Sequence, residues 1–113
     1  MGRKAAVQES TTAGVTDYDS FKRSVPIYNE NMGTAYSLWE STVQPLGISL
    51  SRYADIIIAA NADGAGTSTQ DEMGMYLVSQ MNSGELSYDQ CEAIWHTIWS
   101  KPRSKTFAKW LNG

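Results

Sequence analysis

Apolar residues recur at helical spacing along most of the chain. Leu50, Tyr53, Ala54, Ile57 and Ile58 follow an i, i+3, i+4, i+7, i+8 pattern, and Cys91, Ile94, Trp95, Ile98 and Trp99 repeat it. Both runs predict helices with one buried face. Ser49 precedes the first run as an N-cap, and Ser87 to Gln90 forms a capping box ahead of the second. Thr69 to Glu72 is another capping box, followed by an inner face of Met73, Tyr76, Leu77 and Met81 that Gly74 weakens slightly. Ala35, Leu38, Trp39 and Val43 predict a helix that Pro45-Leu46-Gly47 breaks, and Asn29 to Gly33 before it reads as a turn. Asp17 caps a short helix holding Tyr18, Phe21 and Val25, which Pro26 ends. Pro102 stops the Trp95 helix, and Ser104 caps a last one with Phe107, Trp110 and Leu111 on its apolar face. No segment alternates with period two between hairpin turns. The predicted class is all-α, five to six short helices packed as a compact bundle. Residues 1–16 carry no apolar face and read as a flexible, disordered N-terminal tail ahead of a single helical domain, 17–113.

Composition narrows this picture. A chain of 113 residues makes one domain able to hold a core without disulfide or metal staples. Its single cysteine excludes an internal disulfide, a CxxC redox pair and any zinc site built on two cysteines. The formal charge of -3 argues against a dedicated nucleic-acid or anionic-membrane binder, since both rely on a surplus of Lys and Arg. No apolar run approaches a membrane span, and the start MGRKAAVQESTT lacks the apolar stretch of a signal peptide. The charge is unevenly placed. Arg52 is the only Lys or Arg between residues 24 and 100, amid Asp55, Asp63, Asp71, Glu72, Glu85, Asp89 and Glu92, and no acid follows Glu92.

Between the third and fourth predicted helices lie the twelve residues Asn61 to Glu72. Asn61, Asp63, Gly66, Thr67, Thr69 and Glu72 occupy positions 1, 3, 6, 7, 9 and 12 of an EF-hand calcium loop, where oxygen ligands and a turn glycine belong. This stretch resembles such a loop, and the resemblance implies calcium ligands at Asn61, Asp63, Thr67, Thr69 and Glu72. Ala65 supplies no oxygen at position 5, and Asn61 replaces the usual first Asp. With two ligand carboxylates the affinity expected is weak, on the order of 10⁻⁴ to 10⁻³ M. The other reading needs no metal: Gly64 and Gly66 shape a turn while Thr69 and Glu72 cap the next helix. Asn82 to Ser87 has a similar flavour, but its register puts Met81 at position 3 and Gln90 at position 12, so it forms no second calcium loop.

A wider pattern runs from Tyr36 to Trp110: Tyr36-Ser37-Leu38-Trp39-Glu40, Pro45-Leu46-Gly47-Ile48-Ser49-Leu50 leading into Tyr53, the Ala62 to Glu72 loop, the Leu86 to Gln90 cap and the Trp95 helix. It resembles small helical domains of structural and virion-associated proteins from phages and prophages of Gram-positive bacteria. The resemblance implies a module appended to larger chains, without catalysis, located in a virion or in the bacterial cytoplasm. Here the module spans nearly the whole chain, so a small inhibitor that binds a host defence enzyme stands as an alternative to a structural part.

The remaining candidates are weighed on their own residues. Cys91 and His96 lie about 140° apart around a helix and do not face one another, and Cys91 belongs to the apolar stripe. No nucleophile, metal cluster or phosphate loop can be assembled, so no enzymatic role is expected. Lys101, Arg103, Lys105 and Lys109, with Trp110 and Phe107 interleaved, offer a basic partner-binding end. A nucleic-acid backbone is disfavoured as its partner because four charges give modest affinity at physiological salt. Four Trp and five Met exceed what a core this size needs, which points some of them at a protein partner. The expected function is that of a non-enzymatic interaction or structural module requiring no cofactor.

Overall fold

The computed structural model describes residues 14–61 and 67–113. Asp63, Ala65 and Gly66 of the EF-hand-like loop, and the tail as far as residue 13, lie outside them. Among the described residues the fold is all-α, with six α-helices and no strand. These are α1 (Tyr18–Ser24), α2 (Asn29–Leu38), α3 (Leu50–Ala60), α4 (Gln70–Asn82), α5 (Tyr88–Ile98) and α6 (Phe107–Leu111).

Local chemistry fixes where most helices start. Asp17 Oδ1 accepts the Ser20 N–H at 2.9 Å, and Ser20 Oγ accepts the Asp17 N–H in return, opening α1. Ser49 Oγ accepts the Arg52 N–H at 3.1 Å to open α3. Thr69 and Glu72 exchange bonds of 3.0 and 2.8 Å, and Ser87 and Gln90 bonds of 3.1 and 2.9 Å, so both predicted capping boxes form. Helix α6 departs from expectation: its N-cap is Thr106, whose Oγ1 accepts the Lys109 N–H at 3.1 Å, and not Ser104.

The second helix departs further. Asn29 to Gly33, expected as a turn, is the first half of α2. Met32 is buried and continues the Ala35, Tyr36 and Trp39 stripe one turn back, so tertiary burial overrides the turn composition. After Leu38 the chain widens into a π turn, Trp39–Val43, then tightens into a 3₁₀ turn, Gln44–Leu46. Ser41 and Thr42 hydroxyls both donate to the Leu38 carbonyl, the back-bonding that bends helices. Gly47, at φ 92°, ends the run in the left-handed region that glycine occupies without strain.

Helix α5 is the hub. It packs against α2, the π turn, α4 and α6, while α3 joins α1 to α4. Cys91, Ile94 and Trp95 face inward as expected, and so does Thr97. The Tyr53 hydroxyl donates to Thr97 Oγ1, which donates to the Ile94 carbonyl, giving the polar atoms of this interior mutual partners. In α3, Ile56 takes the buried place expected of Ile58. Val15, expected within the tail, is buried in the core. No helix among the described residues is long and apolar enough to cross a membrane.

Candidate functional site

The basic end is built by the Trp95 indole. Its Nε1–H donates to the Lys105 carbonyl at 2.8 Å, holding the turn after α5 against the helix hub. Lys101, Arg103, Lys105 and Lys109 are all exposed. Trp110 is not an outward residue. Its Nε1–H donates to Asp71 Oδ1 at 2.8 Å, and its ring lies over Gly74 so closely that a Cβ there would sit 2.4 Å from the indole. Trp110 closes α6 onto α4. Gly74, read as a weakness of α4, is what allows that closure.

The tryptophan count is explained only in part by the core. Trp39 and Trp95 are buried, whereas Trp99 and Trp110 are half-buried. Two of the other three gather around Trp95, with ring centroids 4.6 Å away for Trp99 and 5.8 Å for Trp110, and Phe107 lies at 5.6 Å. Above this aromatic layer opens a cavity of about 550 Å³. Trp95, Trp99 and Phe107 line it together with Thr42 of the π turn, Leu46 of the 3₁₀ turn, and Asp89, Glu92 and His96 of α5. Lys101, on the turn beyond α5, also borders it. A second cavity of about 450 Å³ adjoins it through His96 and Ser100.

The charges around the larger cavity are uncommitted. Among the described residues the one ion pair is Arg52 with Asp55, at 3.6 Å, leaving Asp89, Glu92 and Lys101 without an ionic partner. The Tyr88 hydroxyl donates to Glu92 Oε2 at 3.4 Å. Its phenol is held above the ordinary value by desolvation first and then by Glu92 and Asp89.

The calcium ligand candidates that the structure describes have other engagements. Glu72 Oε1 and Thr69 Oγ1 are used within the capping box; Thr67 Oγ1 accepts the Tyr28 N–H at 3.2 Å, while the ligand expected at its position is the backbone carbonyl. Asn61 is the buried C-cap of α3. Among the described residues no three His, Cys, Asp or Glu side chains gather as metal ligands. Cys91 is buried beside the Leu77 carbonyl and its thiol is pushed up to about 11 by desolvation, the opposite of an activated nucleophile.

Sequence reasoning singled out Lys101 but missed Trp99, Asp89 and Glu92 as neighbours of one cavity. Their signal was present: Asp89, Glu92, Ala93 and His96 follow helical spacing and form a second stripe on α5, beside the apolar one. Compared with known proteins, the chain matches no family model, no curated protein and no solved structure.

Proposed function

We propose that this protein is a non-enzymatic helical interaction module, phage-related in its sequence pattern, that binds a partner protein through the groove above Trp99. The observation that carries this reading is the groove itself. A concave surface of this size, floored by aromatic rings and rimmed by uncompensated charge, has the composition of an interface centre, where Trp, Tyr and Phe are enriched. The π turn supports it, because Thr42 and Leu46 reach the groove from a stretch of helix distorted out of regular geometry, and π turns concentrate at functional sites.

The test uses the full chain and a Thr42→Trp variant, which places a bulky ring at the exposed wall of the groove. Light scattering of the purified protein and of its assemblies in host extract is expected to show a defined oligomer or a particle-bound form that the variant loses. A monomer that captures one bacterial enzyme, again lost in the variant, assigns the chain to inhibition instead. Association unaffected by Thr42→Trp would remove the groove from the function.

A further inference from the structure

The groove has electrical direction. Asp89 and Glu92 stand near the start of α5, whereas Trp99 caps its end and Lys101 follows on the next turn. At 1.5 Å per residue, the helix places Glu92 about 10 Å from Trp99 along its axis. One end is therefore anionic, His96 stands between it and Trp99 over the buried Trp95 and Phe107 rings, and Lys101 adds a positive charge to the rim.

Each part selects a different group. The two carboxylates have no cationic neighbour within ion-pairing distance among the described residues, so an incoming guanidinium or ammonium gains partners without displacing one. Trp99, half-buried against Trp95, leaves part of its ring for an apolar side chain. Lys101 repels a cation from the aromatic end and so fixes which way round a ligand lies. An extended peptide advances about 3.3 Å per residue, so the span from Glu92 to Trp99 corresponds to about three residues.

Resting on the groove as the binding face, we propose that its occupant is an extended segment of a partner protein in which a basic residue, Arg or Lys, lies about three positions from a bulky apolar one. The basic side chain sits against Glu92, with Asp89 one turn behind it, and the apolar side chain covers Trp99. Arginine is preferred to lysine, because its planar fork can engage two carboxylates at once.

The experiment is a selection of displayed random heptapeptides on the full-length protein, with the recovered peptides measured by fluorescence anisotropy. Recovered peptides are expected to share a basic residue about three positions from Phe, Trp, Leu or Met. Their affinity is expected to fall at least tenfold in the Asp89→Asn, Glu92→Gln double variant and to weaken steeply with salt. Thr42→Trp, checked for an unchanged melting curve, is expected to abolish binding. Peptides that bind wild type and not Thr42→Trp, yet lack a basic residue or ignore the double variant, overturn the proposed chemistry while leaving the groove as the binding face. Recovery of no peptide, or of peptides indifferent to Thr42→Trp, overturns both.

Discussion

Gly74 shows how a single residue changes meaning once its neighbour is known. In an exposed helix interior, replacing Gly by Ala adds about 0.8–1.0 kcal/mol of stability. Here the new methyl would stand 2.4 to 2.6 Å from three atoms of the Trp110 indole, so the ring must move and loosen its bond to Asp71. Gly74→Ala is expected to destabilise the protein by about 1–3 kcal/mol, the usual range for overpacking, as measured by urea denaturation. The cause is checked by a cycle: in a Trp110→Ala background the same substitution is expected to be neutral or stabilising. Cys91 supports a second residue-scale prediction. Unfolded, its thiol ionises near the ordinary value of 9; folded, it holds its proton up to about 11. The folded state thus binds more protons in that window, and stability falls as pH rises from about 9, approaching about 1.4 kcal/mol per pH unit for this group. Tyr53, whose phenol burial also raises above its ordinary 10, adds a loss of the same sign at higher pH. Urea midpoints at about pH 8 and about pH 10 are expected to differ less in Cys91→Ala than in wild type.

At the scale of elements, capping chemistry was the most legible feature of the sequence. Asp17, Ser49, Thr69 and Ser87 all open helices as their spacing predicts, because these caps are local and depend on three or four consecutive residues. The start of α2 was hidden because Asn29 and Gly33 carry turn chemistry, while the compensating contact, burial of Met32, is non-local. By type Ser104 is the slightly better cap; the Trp95 bond to Lys105 favours Thr106 by fixing the turn just before it. The same local and non-local division bears on the EF-hand-like loop. Thr69 and Glu72 fit both a capping box and calcium positions 9 and 12, and in the structure they exchange the capping bonds. Thr69→Ala is expected to cost about 1 kcal/mol, and millimolar calcium is expected to leave the melting temperature and Trp fluorescence unchanged. A calcium-dependent rise in melting temperature would assign the loop to metal binding.

At the scale of the whole molecule, the uneven charge and the surplus of tryptophan meet in one place. The groove was not legible beforehand because it joins the π turn, one stripe of α5 and the segment after it, three parts brought together only by packing. Within it, Trp95 and Trp99 pack against each other, their rings tilted by 44°, and yet serve different ends. Trp95 is buried, touches three other rings and anchors the Lys105 turn, so its loss removes both packing and a hydrogen bond. Trp99 is half-buried and faces the groove. Trp95→Ala is therefore expected to cost about 3–5 kcal/mol, a large share of the stability of a domain this size. Trp99→Ala is expected to cost about 1–2 kcal/mol, in proportion to the smaller apolar area it withdraws from water. Partner binding should follow the opposite order among variants that remain folded: Trp99→Ala retains a cooperative melt and loses the partner. Parallel thermal melts and anisotropy titrations with a recovered peptide decide this. Equal losses of stability at the two positions, or undiminished binding by Trp99→Ala, would place the groove's aromatic floor in the core alone.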